Sequence, residues 1–252
     1  MSMLELTPDF IKEFAAYLST EAGLRNGSIW ANCMWLKGVV MKAHYNGLIP
    51  RNPFIQFHIS PNVKEREYLT EDELKAVMTH EFADSKLAYI RDIFIFASFT
   101  ALSFVDIQEL TNDNIVEVNG EKWILSKRHK TKVAFQVKLL DIPLQIVERY
   151  RPMQKDNRIF PDLNYWSICK PLKRMIRECG ITKSISFHCS RHGFATLALS
   201  KGMPIESVSR VLGHTNIVTT QLYAKITTQK LDNDLTMFGD KLSKTFNGIT
   251  MS

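Results

Sequence analysis

The sequence predicts a mainly α-helical protein with a small antiparallel β-sheet, organised as two domains. Apolar residues recur at helical spacing over most of the chain, as Phe10, Phe14 and Leu18 do near its start. Two short strand-like segments flank Asn119-Gly120, the dipeptide most typical of a tight β-hairpin turn. A polar, basic stretch over residues 60–66 separates two helical regions and indicates a linker between domains.

The overall composition excludes several classes of protein. The chain has 252 residues, a hydrophobic content of 45% and a formal net charge of +6, which fits one large or two modest globular domains that are mildly basic. The 4 cysteines lack Cys-x-x-Cys spacing, which argues against a disulfide framework or a zinc site and favours reduced thiols in the cytosol. No apolar run reaches membrane length, so we expect no membrane partner.

The first predicted domain, residues 1–62, is a small helical unit. Helices are predicted over residues 4–19 and about 28–45, each with one apolar face. Lys37 and Lys42 lie on the second helix. The sequence leaves open whether these two lysines are solvated or face a phosphate backbone.

The second predicted domain, residues 63–252, begins at a capping box formed by Thr70 and Glu73. Further helices are predicted up to residue 78 and at 85–99, 143–150 and 165–179, and strands at 115–118, 122–126 and 133–140. Lys173 and Arg177 belong to a basic face of the helix at 165–179. Such faces are usually only solvated, but they can also contact nucleic-acid phosphates.

Three short motifs near the C-terminal end of the chain carry the chemistry. They are His188-x-x-Arg191-His192, then Leu212-Gly213-His214, then Tyr223, on three predicted helices and on the turn at residues 213–216 that precedes the third. Arg191 offers a planar fork of donors suited to a phosphodiester, and His188 and His214 exchange protons near neutral pH. A tyrosine hydroxyl attacks phosphorus if its proton is removed and the developing charge is held.

Each of these residues also has an ordinary structural interpretation. Tyr223 by itself would be a half-buried core tyrosine. His188 and His192, four residues apart on a helix, could suggest a metal site. No His-Glu-x-x-His motif and no third ligand accompany them, so we expect no metal. The order and spacing of the three motifs, more than any single residue, indicate a phosphoryl-transfer site.

The motifs resemble the C-terminal signature of the tyrosine recombinases, the phage integrase family. The resemblance implies that Tyr223 is the nucleophile and forms a 3′-phosphotyrosine with DNA. Arg191, His188 and His214 would stabilise the transition state, with His188 also the better candidate for the base. His192 would support Arg191. The reaction conserves the energy of the broken bond in the protein–DNA ester, so the resemblance implies neither a metal, nor ATP, nor any other cofactor.

One position departs from the family pattern. The segment from Phe99 to Leu110 resembles the family's Thr-Gly-Leu-Arg-x-x-Glu-Leu box, but Ser103 stands where that box has its catalytic arginine. Serine cannot make a bidentate phosphate contact. We expect Arg91, on the helix just upstream, to replace the missing cation. The dipeptide Leu102-Ser103 resembles the Leu-Ser that integrases of Bacteroides conjugative transposons have at this position. This resemblance favours a substitution typical of that subfamily over loss of activity.

The basic loop after the second predicted strand resembles the family's β2–β3 turn, which carries a catalytic lysine. Lys130 is the first choice for this acid toward the 5′-oxygen leaving group, and Lys132 is the second. Arg128 and Lys132 are predicted to contact the DNA backbone.

The resemblance also extends to organisation and assembly. Residues 1–62 resemble the latter part of a helical, SAM-like core-binding domain, so we expect it to be incomplete at its N-terminus. Residues 225–238 form a predicted helix that would dock onto a neighbouring protomer. The expected partners are double-stranded DNA recombination sites and a homotetramer on synapsed DNA, with a monomer in isolation.

The implied role is integration and excision of a mobile element, in the bacterial cytoplasm at the nucleoid. Two alternatives stay open. The chain could be a DNA-binding relative that does not cleave, which Ser103 favours, or it could relax DNA as a type IB topoisomerase does.

Overall fold

The structure is a computed structural model that describes residues 5–60, 67–154, 156–223 and 228–245. It divides into two compact units, Met1–Glu65 and Arg66–Ser252. Most of the predicted linker, from residue 61 to 66, lies outside the described residues. None of the described helices has the length and apolar character needed to span a membrane.

The first unit contains two helices, α1 (Pro8–Thr20) and α2 (Asn26–Tyr45). The side chain of Thr7 caps α1 by accepting a hydrogen bond from the backbone N–H of Phe10 at 3.2 Å, as expected for a threonine that precedes proline. The apolar faces of the helices meet in two small clusters. The buried members of these clusters are Ile11, Val40, Ala43, Ile49 and Phe54 in one and Leu18, Ile29 and Cys33 in the other.

The second unit is built around one buried helix. Its described helices are α3 (Glu71–Thr79), α4 (Ser85–Thr100), α5 (Phe104–Gln108), α6 (Asp141–Tyr150), α7 (Tyr165–Glu178), α8 (His188–Ser200), α9 (Ile205–Leu212), α10 (Val218–Gln221) and α11 (Thr228–Thr245). Helix α4 is buried along most of its length and packs against α3, α6, α7 and α8. Because α8 packs directly on this central helix, the residues of the first predicted motif have a rigid support.

A three-stranded antiparallel sheet completes the second unit. The strands are β1 (Ile115–Val118), β2 (Glu121–Lys127) and β3 (Ala134–Lys138), in that order. Asn119 and Gly120 have φ values of 53° and 77°, which is the left-handed backbone that a two-residue hairpin turn requires. Strand β3 contacts α9, so the turn between β2 and β3 is held on the same side of the unit as the second motif.

The predicted fold class is confirmed: the described residues are mainly helical, with one small antiparallel sheet. Several details differ from the prediction, and one is that α1 begins at Pro8, whereas the sequence predicted a start at residue 4. Strand β3 is shorter than residues 133–140. Tyr223 lies two residues after the four-residue helix α10, whereas the sequence predicted that a helix would carry it.

Candidate active site

Arg191 is fixed at the centre of the predicted site by two backbone carbonyls. It lies in the first turn of α8, and its Nη1 donates to the carbonyl of Ala101 at 2.8 Å. Its Nη2 donates to the carbonyl of Leu212. Ala101 ends α4 in the left-handed conformation, and Leu212 is the last residue of α9. The guanidinium therefore joins the ends of two helices that are far apart in sequence.

Tyr223 is brought to α8 by a ring contact with His192, which in turn contacts the ring of His188. The ring centroids of His188 and His192 are 4.7 Å apart, and those of His192 and Tyr223 are 5.1 Å apart. Tyr223 is half-buried and also packs against the apolar cluster that includes Ala195 and Leu212. The first and third motifs, separated by about thirty residues of sequence, thus share one surface.

His214 follows the glycine that ends α9 and is fixed by a buried threonine. Its Nδ1 lies 2.8 Å from Oγ1 of Thr220. Burial lowers the pKa of His214 to about 4, and its neighbours Arg191, Arg128 and His188 act in the same direction. His214 is therefore neutral at pH 7 and suited to hydrogen bonding.

Ser103 occupies the family's arginine position, and its hydroxyl is engaged with Asp106. Ser103 is the N-cap of α5, and its Oγ donates to Oδ2 of Asp106 at 2.7 Å. The same carboxylate accepts from Nη1 of Arg128 at 2.7 Å and from the backbone N–H of His129 at 3.0 Å. Burial by itself would raise the pKa of Asp106, but the hydrogen bonds from His129, Ser103 and Arg128 together lower it.

Arg128 does not lie on the surface of its loop. The sequence predicted a contact with the DNA backbone, but the side chain is only 7% exposed and its guanidinium faces Asp106. Its Nη2 donates to the carbonyl of Val211 at 2.5 Å, and its Cζ lies 4.0 Å from the ring centroid of Phe135. Burial lowers the pKa of Arg191 to about 10, helped by the positive charge of Arg128. Because Arg191 donates to the carbonyl of Leu212, the residue after Val211, the structure places a second guanidinium beside Arg191.

Arg91, the predicted substitute for the missing arginine, has other partners. Its Nε donates to Oδ1 of Asp92 at 2.9 Å and its Nη1 to the carbonyl of His80 at 2.9 Å. The guanidinium also lies over the ring of Phe82, 5.8 Å from its centroid. These contacts hold Arg91 on the side of α4 that faces residues 80–82, and they do not support the expectation that it reaches the phosphate beside Arg191.

The two candidate lysines share one turn. Hydrogen bonds from the N–H of Arg128 to the carbonyl of Val133 and from the N–H of Lys132 to the carbonyl of Arg128, both 2.8 Å, close the turn between β2 and β3. Lys130 and Lys132 are both exposed on it, and Lys132 has a φ of 56°. Both lysines thus belong to the loop whose first residue, Arg128, enters the site.

The other predicted DNA contacts lie on helices. In the first unit, Lys37 is half-buried and Lys42 is exposed on α2. In the second unit, Lys173 and Arg177 are exposed on α7. Their neighbour Arg174 is instead paired with Glu178 and Asp84.

Asp106 had no predicted role. The available signal was its position in the segment that resembles the family box, where it stands at the acidic position three residues after Ser103. Within the described ranges, no group of three or more His, Cys, Asp and Glu side chains is arranged to hold a metal ion.

Comparison with known proteins identifies the family. Residues 67–230 match the model of the phage integrase family, and residues 1–59 match the phage integrase SAM-like domain. The chain belongs to the phage integrase family. Among curated proteins, tyrosine recombinase XerA of Pyrococcus horikoshii is 32% identical over 177 residues, which cover 65% of this chain and 58% of XerA. Tyrosine recombinase XerC of Lactobacillus leichmannii is 25% identical over 229 residues, which cover 85% of this chain and 77% of XerC.

Solved structures share the fold. The integrase of transposon Tn1549, in complex with circular intermediate DNA, matches with a TM-score of 0.78 at 18% sequence identity. The match covers 93% of this chain and 86% of the Tn1549 integrase chain. A lambda integrase dimer bound to a COC′ core site matches with a TM-score of 0.70 at 18% sequence identity, and the match covers 88% of this chain and 81% of the lambda integrase chain. The predicted membership among the tyrosine recombinases, which are DNA strand transferases, is confirmed.

Proposed function

We propose that this integrase-family chain cleaves and rejoins DNA at specific sites through a covalent 3′-phosphotyrosine on Tyr223. The observation that carries the proposal is the convergence of three separated motifs on one site. Tyr223 contacts His192 of the first motif, and Arg191 of the same helix donates to Leu212 of the second. A deprotonated Tyr223 would stabilise the cationic form of Arg191, which is the electrostatic coupling that an activated tyrosine needs.

Each proposed role follows from the position of the side chain. Tyr223 attacks the phosphorus, its proton passes to His188, and the bond between phosphorus and the 5′-oxygen breaks. Arg191 and neutral His214 donate hydrogen bonds to the oxygens that gain negative charge. His192 positions Tyr223 and the N-terminal turn of α8 through its ring contacts on both sides. A 5′-hydroxyl from another duplex then reverses the step, so neither ATP nor a metal enters the scheme.

The leaving 5′-oxygen takes a proton from Lys130, with Lys132 as the second candidate. Both lysines are exposed on the β2–β3 turn, whose first residue is anchored in the site through Arg128 and Asp106. A lysine at the tip of a turn anchored in this way is held close to the site while its side chain stays free to follow the leaving group.

The substrate that we propose is double-stranded DNA. Residues 1–62 would form a core-binding domain and residues 63–252 the catalytic domain. Exposed or half-exposed cations on each unit supply the phosphate contacts, and in sequence order these are Lys37, Lys42, Lys132, Lys173 and Arg177. The fold is shared with the Tn1549 and lambda integrases, whose structures are complexes with DNA.

We further propose that the active assembly is a homotetramer on synapsed DNA and that the free chain is a monomer. Helix α11 supports this assembly, because Leu231, Leu235, Met237 and Phe238 on it are all exposed. Docking of such a helix onto a neighbouring protomer would bury these side chains. The proposed setting is the cytoplasmic nucleoid of a bacterium, where the protein would move a mobile element of the Bacteroides conjugative-transposon type.

Covalent trapping tests the chemistry. The wild-type chain and Tyr223→Phe would be incubated with a pool of nicked duplexes, denatured, and any DNA adduct mapped by mass spectrometry. We expect an adduct on Tyr223 that the variant lacks. Salt-sensitive DNA binding without any adduct would favour the non-cleaving relative that Ser103 suggests. Relaxation of supercoiled DNA by the monomer would favour the topoisomerase.

A further inference from the structure

Arg128 has more donors than its observed contacts use. Its side chain is 7% exposed, and it makes one hydrogen bond to Asp106 and one to the carbonyl of Val211. Arginine carries five N–H donors. Its Nε is fully buried and, within the part of the chain that the structure describes, has no hydrogen-bond partner. A buried N–H donor without an acceptor destabilises the folded state, so the ion pair with Asp106 does not by itself explain why this guanidinium is buried.

Gly213 of the second motif gives Arg128 its space. A Cβ at this position would lie 2.9 Å from Nε and 3.0 Å from Cγ of Arg128. The φ of Gly213 is +64°, so the backbone also favours glycine here. The arginine side chain therefore passes directly against the backbone that precedes His214.

The two guanidiniums form a cationic pair. Arg128 and Arg191 donate to the carbonyls of consecutive residues, Val211 and Leu212. The proximity of two positive charges contributes to the lowered pKa of Arg191. In the described structure, Asp106 is the carboxylate that hydrogen-bonds to this pair, and of the two arginines it bonds only to Arg128. A site with this excess of positive charge favours an anion, and a phosphodiester is one.

We propose that Arg128 supplies the second guanidinium for the scissile phosphate, in place of the arginine that is absent at Ser103. This inference rests on the proposed function of the site. The remaining donors of Arg128 bind a non-bridging oxygen while the Tyr223–phosphorus bond forms and the bond to the 5′-oxygen breaks. Asp106, held by Ser103 and by the backbone of His129, is the positioning residue that turns Arg128 inward.

The alternative is that Arg128 is a purely structural partner of Asp106. A substrate without charge on the scissile group separates the two roles. A methylphosphonate replaces one charged oxygen by a methyl group, so it needs less cationic stabilisation than a phosphodiester. Loss of a catalytic cation therefore harms its cleavage less, whereas loss of a structural arginine harms both substrates equally.

The experiment measures the rate of adduct formation on a nicked duplex that the wild-type chain cleaves, with either group at the scissile position. The variants are Arg128→Ala, Arg128→Lys and the double variant Ser103→Arg/Arg128→Ala. Arg151→Ala is the control, since it removes an exposed arginine that pairs with Glu148 outside the site. Thermal unfolding checks that each variant is folded, and Arg128→Lys retains a cation for Asp106 if the alanine variant does not fold.

We expect Arg128→Ala to slow cleavage of the phosphodiester by about a hundred-fold at unchanged DNA affinity, as loss of a well-placed electrostatic donor does. The loss on the methylphosphonate should be less than about ten-fold, because less charge develops there. Arg128→Lys should lie between wild type and Arg128→Ala. The double variant Ser103→Arg/Arg128→Ala should cleave the phosphodiester at least about ten-fold faster than Arg128→Ala.

Three results would overturn the inference. Cleavage by folded Arg128→Ala at nearly the wild-type rate would remove any role for Arg128. Equal losses on both substrates, without recovery in the double variant, would make Arg128 structural. Absence of any Tyr223 adduct with the wild-type chain would overturn the proposed function itself, and the inference with it.

Discussion

The carboxylate of Asp106 and the guanidinium of Arg128 form a buried ion pair, with 2.7 Å between Oδ2 and Nη1 and at most 7% of either side chain exposed. Removal of one partner from such a pair leaves an uncompensated buried charge. We therefore expect Asp106→Asn to lower the free energy of unfolding by roughly 3 kcal/mol, measured by urea denaturation.

A neighbouring exposed pair provides the control for Asp106→Asn. Glu109 and His129 lie 2.7 Å apart, but each side chain is about half exposed. Exposed pairs contribute little, so Glu109→Gln should change the free energy of unfolding by less than about 1 kcal/mol. Similar losses in the free energy of unfolding from the two substitutions would mean that the Asp106–Arg128 pair does not stabilise the β2–β3 turn.

The depressed pKa of His214 predicts a specific pH dependence. Its folded value is about 4 against an ordinary value of 6.5, so between these values the unfolded chain binds the extra proton. The contribution of His214 to stability is therefore fully present above pH 6.5 and is lost as the pH falls toward 4. Stability measured across this range should fall less steeply with decreasing pH in His214→Asn than in the wild type.

The same titration can be followed directly by NMR of the His214 ring. Burial is the largest cause that disfavours protonation of His214, and Arg191, Arg128 and His188 add to it. Arg128→Ala should therefore raise the midpoint of the His214 titration. An unchanged midpoint would show that Arg128 does not act electrostatically on this histidine.

Arg91→Ala should affect stability and leave the chemistry intact. Buried Asp92 would lose its bond from Arg91 but keep those from Arg149 and from the hydroxyl of Tyr150, at 2.7 and 2.8 Å. We expect a loss of about 1–2 kcal/mol in the free energy of unfolding, as for one charged hydrogen bond. The rate of adduct formation per folded molecule should stay near the wild-type value. A hundred-fold slower rate at unchanged DNA affinity would return Arg91 to the catalytic role that the sequence suggested.

The sequence predicted the helical fold, the hairpin at Asn119-Gly120 and the motifs that meet around Arg191, because these depend on local spacing. It did not predict which cation accompanies Arg191. Arg91 lies ten residues before Ala101 along the helix, which is an axial distance of about 15 Å. The helical pattern in the sequence does not show which residues of α4 lie near Arg191. Arg128 follows a strand in a basic loop, where solvent exposure is the ordinary expectation. Only the fold shows that Asp106 and Gly213 create an interior place for it.

Gly213→Ala tests whether the second motif makes space for Arg128, with Gly202→Ala as a matched control. Both glycines have positive φ, +64° and +88°, so alanine strains the backbone at either position by about 1–2 kcal/mol. Only at Gly213 would the new Cβ meet Arg128, at 2.9 Å, while at Gly202 nothing lies within 4 Å. We expect both variants to lose stability but only Gly213→Ala to slow cleavage, in the trapping assay, by about ten-fold or more. Equal cleavage rates in the two variants would show that Arg128 does not depend on this glycine.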